Sequence, residues 1–540
     1  MLLRPIHTWC TLFLALTITA SCSRNAASIA KSRQEVVRKY SASELRADFD
    51  VMRGIMENFH PSLYWYTSKD SMDLLFSAYR SSIKDSMTQQ QFGFSVLAPL
   101  TTAIRCGHTS FSYSKKYNDG IKGVRLPSFP LFLKVYGDSM VVLGNMNRKD
   151  SILKRGTPVT SIDGYSVQDL TNIMFRFMPT DGYAENINYI RLSSSFPYYH
   201  RNIFGLKKNY VIGYIDSLGK SATTIVPLFD PASDSTRFRP DSSRTGLQKP
   251  RKPSRKEKID DFRSLSFISD TDSLFEAGYT NRPVNYETGK SSVKAGIHGN
   301  TAVMTLNSFD DGGHLKGFFR RSFRLMKENK TENLIIDIRS NGGGKVNNYT
   351  RLASYIRPTK FKVADSAYSI RKGFSGYGKY FSARTFNAIA LGVFTSKKDN
   401  GAYHFNYWEN HYFKPSKKNF FKGNIYILIS GPTFSASTLF AHTMKGQPNV
   451  TLVGEETGGG HHGNNGLMIP NVTLPNTKMR VRMPMFRVIQ YNHTPKNGRG
   501  VEPDVLVSPS AQAVLNGVDI KMKKTFQLID AKSTQLSSGK

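Results

Sequence analysis

Leu334-Ile-Ile-Asp-Ile-Arg-Ser-Asn-Gly-Gly-Gly344 is the stretch on which the reading of this chain turns. Its first part, residues 334–339, is apolar and β-branched enough to be a buried strand. Three consecutive glycines follow almost at once. Glycine loses more conformational freedom on folding than any other residue, so a run of three suggests a backbone that must approach something closely. A developing oxyanion, held by backbone N–H groups, is one such thing. A flexible turn is the other reading.

The neighbouring segments repeat the alternation of strand and helix. Thr301-Ala-Val-Met-Thr-Leu reads as a strand, and residues 314–327 have helical periodicity. Asn424-Ile-Tyr-Ile-Leu-Ile-Ser is a fully apolar strand that runs into Gly431-Pro-Thr-Phe-Ser435. A helix-compatible segment over 435–444 and the strand Val450-Thr-Leu-Val come next. The pattern predicts a layered α/β domain around a buried sheet.

Ser435 stands where the apolar strand turns into the helix, with Gly431 and Pro432 making the turn. There its hydroxyl is held on a rigid element, and the N–H of Ala436 points toward negative charge forming nearby. Serine is also a favoured N-cap, so the local pattern alone leaves both roles open. The glycine run tips the balance toward a nucleophile.

Four segments in order now carry a resemblance. Leu334 to Gly344 resembles the Asp-x-Arg-x-Asn-Gly-Gly-Gly signature of the C-terminal-processing (tail-specific) serine peptidases. Thr433-Phe-Ser-Ala-Ser437, Val453-Gly-Glu-Glu-Thr-Gly-Gly-Gly460 and Gly498-Arg-Gly-Val-Glu-Pro-Asp504 resemble the family's remaining core motifs. The resemblance implies a crotonase-like protease core, usually preceded by a PDZ-like domain, with Ser435 as nucleophile. It departs from the tail-specific branch where that branch carries its lysine base, because Gly460 occupies the position. The tricorn-like branch instead uses a histidine from an upstream helical segment, and Ile104-Arg-Cys-Gly-His-Thr-Ser110 resembles that motif. His108 is therefore assigned as general base, a neutral imidazole able to accept the Ser435 proton and return it to the leaving amine. That branch's serine before the histidine is Gly107 here, and its glutamate falls around Asn497; Glu502 is nominated as the orienting acid.

Other groups compete. His461 and His462 adjoin the missing lysine and are an alternative base or cleft-lining residues; their spacing does not suit zinc. Cys106 is two residues from His108, but neighbours in a chain point apart, so no Cys–His pair is expected. The oxyanion donors are assigned to Gly342, Gly343 and Ala436. No metal and no organic cofactor are called for.

The rest of the chain supplies context. Its 540 residues are too many for one core. Residues 1–22 read as a signal: Arg4, the apolar run Leu12-Phe-Leu-Ala-Leu-Thr-Ile, then Thr19-Ala-Ser-Cys22. The last four resemble a bacterial lipoprotein cleavage site, which implies lipidation of Cys22; plain cleavage near Ala20 is the other reading. With Cys10 and Cys22 so accounted for, Cys106 has no disulfide partner. Residues 23–41 read as a tether and 42–115 as a helical unit with Leu45, Phe49, Met52, Met56 and Phe59 on one face. Residues 125–228 are β-rich, and Ile152 to Gly164 resembles a PDZ segment, with an ordinary Asp-Gly hairpin as the alternative. Residues 229–262 read as a polar linker or insertion and 263–530 as the protease core.

A formal charge of +34 attracts anionic partners of every kind. No nucleic-acid-binding motif surrounds the basic patch at 249–256, so no specific nucleic-acid partner is expected. The expectation is a serine-type peptidase that cleaves exported polypeptides. It would be lipid-anchored in a bacterial cell envelope, facing the periplasm or exterior. A non-catalytic peptide- or lipid-binding protein on the same fold is the alternative. No oligomeric state is read.

Overall fold

The computed structural model describes residues 31–232, 254, 259, 261–268 and 301–538. The signal with Cys22, and most of the polar segment at 229–262, lie outside the described residues.

The N-terminal part is helical because its apolar residues recur every three or four positions. Helix α1 (Ala42–Phe59) buries Leu45, Phe49, Met52, Ile55, Met56 and Phe59. It opens in a capping box: Glu44 N–H donates to Ser41 Oγ, and Ser41 N–H donates to the Glu44 carboxylate at 2.9 Å. Helix α2 (Lys69–Ser81) packs Phe76 edge-on against Phe49, ring centroids 6.3 Å apart. Helix α3 (Ala98–Ala103) leads to Arg105, whose φ of +57° turns the chain back toward β1 (Ser110–Ser112).

Residues 31–41 depart from the expected tether. Positions 31–37 are helical, and Glu35 is buried, accepting hydrogen bonds from Tyr40 Oη and, at 2.9 Å, Gln89 Nε2. A carboxylate with two side-chain donors inside the body fixes a segment that composition alone marks as loose.

The β-rich domain is an antiparallel sheet in the order β2 (Leu131–Tyr136), β3 (Ser139–Asn145), β4 (Pro158–Ile162), β5 (Asn209–Ile215) and β6 (Ser221–Pro227). Helices α4 (Val167–Phe175) and α5 (Asn186–Phe204) intervene between β4 and β5. Alternate residues such as Leu131, Leu133 and Val135 join Leu170, Met174, Leu192 and Phe196 in one apolar cluster. Asp163 and Gly164, with φ of +52° and +86°, make a two-residue hairpin pairing Ile162 with Tyr165.

The core is a six-stranded sheet: β7 (Arg263–Ile268), β8 (Thr301–Leu306), β9 (Asn333–Asp337), β10 (Asn424–Ile429), β11 (Val450–Gly454) and, after the hairpin β12 (Asn471–Thr473) and β13 (Arg480–Arg482), β14 (Val505–Leu506). Only the β7–β8 pair is antiparallel; the remaining neighbours run parallel. Both faces are buried, which is why these strands are apolar almost throughout. Met304, Ile336, Ile427 and Leu452 face helices α6 (Leu315–Glu328), α7 (Val346–Ile356) and α8 (Ala436–Met444). Ile335, Leu428 and Val453 face Met522, Phe526 and Ile529 of α9 (Ile520–Ser538).

Two features set the site. The Asp337-x-Arg339 pair is a clamp: Arg339 bonds both Asp337 oxygens and reaches Asp519 at 2.7 and 2.8 Å, holding the start of α9 to the end of β9. The expected helical unit is also joined to the core, because β1 pairs with β13, Phe111 opposite Val481. That pairing carries the segment bearing His108 into the core.

Candidate active site

Strand β10 ends in a locked turn. Ser430 N–H donates to Thr433 Oγ1 at 3.1 Å, Thr433 Oγ1 donates to the Ile338 carbonyl at 3.0 Å, and Thr438 Oγ1 donates to the Thr433 carbonyl at 3.0 Å. These bonds hold Ser435 at φ +53°, ψ −123°, a conformation that a side chain rarely adopts. Strain of this kind costs on the order of 1–3 kcal/mol and persists where the surroundings enforce it. Ser435 occupies the N-cap position of α8, yet its side chain makes no capping hydrogen bond. Its hydroxyl is aimed elsewhere.

The glycine loop sits directly against it. A Cβ on Gly343 would lie 2.8 Å from Ser435 Cβ and 3.0 Å from Ala436 N, and φ there is +104°. This is the close approach that the three glycines indicate. Asn341, fully buried, ties loop to turn: its Nδ2 donates to the Leu306 carbonyl at 3.0 Å, and its carbonyl accepts from Phe434 N–H at 3.1 Å. Its Oδ1 accepts the Gly343 N–H at 2.9 Å. That bond changes the expected oxyanion set, since the Gly343 N–H is already engaged. A Cβ on Gly342 would meet nothing within 4 Å, so the space over it is open, and Ala436 is the first residue of α8.

His108 arrives from the turn after α3. The point where a Gly466 Cβ would stand is 2.9 Å from Ser435 Oγ and 3.4 Å from His108 Nε2, so hydroxyl and imidazole converge on one spot. The His108 ring lies over Phe434 with centroids 4.6 Å apart. Gly107 is explained here: a Cβ would strike the Phe434 ring at 2.7 Å, and its N–H donates to Asp181 Oδ1 at 2.8 Å. Burial drives the His108 pKa down to about 3, with Arg482 and Arg191 adding to the effect, so the ring is neutral at pH 7.

The acid beside His108 is Asp181, not Glu502. Asp181 Oδ1 lies 3.9 Å from His108 Nδ1, and both side chains are about 95% buried. Burial pushes Asp181 up to about 7, while the amides of Gly107 and Gly460 and the charge of Arg191 pull the other way. Glu502 is exposed, and its carbonyl accepts from Lys445 Nζ. Asp181 is carried on the loop between α4 and α5, docked by Gly182 N–H on the Arg105 carbonyl at 2.9 Å and Tyr183 N–H on the Gly498 carbonyl at 2.7 Å. Pro179-Thr-Asp-Gly182 reads in sequence as a turn, and turns favour aspartate for reasons unconnected with catalysis. Nothing local marks it out. Gly460, the place of the missing lysine, adjoins this acid: a Cβ there would be 3.7 Å from Asp181 Cβ.

His461 and His462 are engaged with other partners. Their rings meet those of His442 and His493, each pair at 5.0 Å, and the His462 ring bonds the Thr494 carbonyl. Cys106 behaves otherwise than expected: its Sγ converges with His108 and Asp181, the three ligand atoms lying within 4.8 Å of one another. The left-handed Arg105 and the turn closed by Thr109 N–H on the Cys106 carbonyl fold positions 106 and 108 to the same side.

Beside Gly342 and Phe434 is a cavity of about 380 Å³, walled by Ile187, Ile190, Arg191 and Tyr199 of α5 and by Pro432. Pro432 and Phe434 place it against the turn that carries Ser435.

A serine on a strained strand-to-helix turn, with an imidazole and a carboxyl brought in from outside the core, is an arrangement that suits serine hydrolase chemistry. The kind of hydrolase follows from the sequence between 300 and 507, which matches the model described as Peptidase family S41. The chain carries an S41 domain and is a serine-type peptidase, with polypeptides as its substrate class. No curated protein sequence matches it. Among solved structures it is similar to mature CPAF complexed with lactacystin, with a TM-score of 0.58 at 13% identity, covering 92% of this chain and 99% of that one. A second structure of mature CPAF gives 0.56 at 13% identity, covering 90% and 97%. At these identities the likeness is one of fold.

Proposed function

We propose that Ser435 attacks the scissile carbonyl while His108 Nε2 takes its proton, giving an acyl-enzyme that water then hydrolyses. The N–H groups of Gly342 and Ala436 hold the oxyanion, and His108 returns the proton to the leaving amine. Asp181 accepts the Nδ1–H, keeps Nε2 free as the accepting nitrogen, and stabilises the imidazolium once it forms. The observation that carries this reading is the convergence of Ser435 Oγ and His108 Nε2 on the space beside Gly466. The His108–Asp181 distance of 3.9 Å is longer than a hydrogen bond. Relays of this kind commonly tighten only with substrate bound.

The substrates are exported polypeptides. Supporting this are the signal-like start and the cysteine at Thr19-Ala-Ser-Cys22, which would anchor the mature chain by lipid to a bacterial envelope membrane. Among the described residues no helix is long and apolar enough to cross a membrane. The β-rich domain over 125–228 is read as PDZ-like, a sheet whose edge takes up an extended peptide.

Fluorophosphonate labelling of the full chain, with the modified residue located by mass spectrometry, tests the chemistry. Label on Ser435 that is lost in Ser435→Ala and reduced at least 100-fold in His108→Ala is the expected result. Well-folded protein that takes no label would favour the alternative, a non-catalytic binding protein on this fold.

A further inference from the structure

Cys106 is a group at this site that the peptidase chemistry leaves idle. It is fully buried, accepts a hydrogen bond from Asn465 Nδ2 at 3.3 Å, and is a free thiol. Its sulfur, a His108 ring nitrogen and an Asp181 carboxylate oxygen all lie within 4.8 Å of one another. Both His108 nitrogens and Asp181 Oδ2 are buried without a hydrogen-bond partner among the described residues. Buried polar atoms in that state call for an explanation, and an ion is one.

We propose that Cys106, His108 Nδ1 and Asp181 form a zinc site that switches the peptidase off. Thiolate, imidazole and carboxylate are the donors Zn²⁺ takes, and three protein ligands leave a fourth position for water. Zn–S of about 2.3 Å and Zn–N of about 2.0 Å put tetrahedral ligands roughly 3.5 Å apart, so no pair of the three need close by more than about 1.3 Å. Binding releases the thiol proton, and that of Asp181 when it is protonated, to solvent; no electron is transferred. With the metal on Nδ1, the neutral imidazole carries its proton on Nε2. The nitrogen facing Ser435 then donates where it must accept, and the serine loses its base.

The inference rests on His108 serving Ser435, and its test separates the two claims. Co²⁺ added to the full chain with Ser435→Ala should give a thiolate-to-cobalt charge-transfer band at one equivalent, displaced by Zn²⁺ and absent when Cys106→Ser is added. Cobalt bound without that band, or the band persisting in Cys106→Ser, overturns the site whatever Ser435 does. In protein with Ser435 intact, Zn²⁺ should slow fluorophosphonate labelling at least 10-fold. The Cys106→Ser variant, compared with its own zinc-free rate, should need at least 10-fold more zinc for the same effect. Equal zinc sensitivity in the two overturns the switch. Should Cys106→Ser not fold, the spectrum of the Ser435→Ala chain that also carries Cys10→Ser and Cys22→Ser, in which Cys106 is the remaining thiol, and its displacement by zinc decide the matter. Absence of label at Ser435 in zinc-free protein would instead count against the peptidase chemistry.

Discussion

Replacing Asp181 with asparagine should stabilise the protein and disable it. Burial lifts the carboxyl from its ordinary 3.8 to about 7, so the fold prefers this group neutral. Below pH 3.8 folded and unfolded chains both hold the proton and no penalty exists. Between pH 3.8 and 7 the unfolded chain ionises while the folded one does not, and the penalty grows with pH. Above pH 7 both are ionised and the penalty is complete. At 1.36 kcal/mol per unit it reaches about 4 kcal/mol. Asparagine keeps an oxygen for the Gly107 N–H but brings an amide that needs an acceptor, so the net gain should be about 2–4 kcal/mol at pH 8. That gain should shrink toward zero by pH 4. Urea unfolding of both proteins at pH 4, 6 and 8 reads the gain directly, and fluorophosphonate labelling in the same series reads the lost relay as a fall of 100-fold or more. A stability difference independent of pH would refute the burial argument. Unchanged labelling would refute the role given to Asp181.

Other outcomes follow from the same geometry. Labelling by the native protein should rise with pH through about 7 as Asp181 ionises, a profile that stopped-flow or gel-based rates can trace. Ser435→Gly should abolish labelling yet raise the unfolding free energy by about 1–2 kcal/mol, because glycine adopts φ +53° without strain. Gly343→Ala should eliminate labelling and lower the denaturant midpoint, since its Cβ would stand 2.8 Å from that of Ser435. His60 and His108 both fall to about 3 by burial, so as pH drops below 6.5 the unfolded chain gains protons that the fold refuses. Each should remove several kcal/mol of stability by pH 4, and His108→Gln should flatten the slope in urea unfolding.

The sequence by itself determined what local pattern can carry. Strands buried on both faces need unbroken apolar runs, so residues 334–339 and 424–429 announce the sheet. A glycine run after one strand and a serine after the other announce the two halves of the nucleophile's surroundings, because each conformation restricts residue type at its own position. His108 was reachable through its motif. Only the tertiary structure decided the rest. The β1–β13 pairing sets His108 beside Ser435 across a separation of more than 300 residues in the chain. Asp181 rather than Glu502 lies beside His108 because the loop before α5 docks on Arg105 and Gly498, contacts to which no local signal corresponds. Asn341 takes the Gly343 N–H out of the oxyanion set for the same kind of reason. Cys106 joins His108 because one left-handed residue turns the chain back on itself. Local conformation is written in residue type. Convergence of distant side chains is a product of packing, and packing constrains shape and volume at many positions at once without marking any one of them.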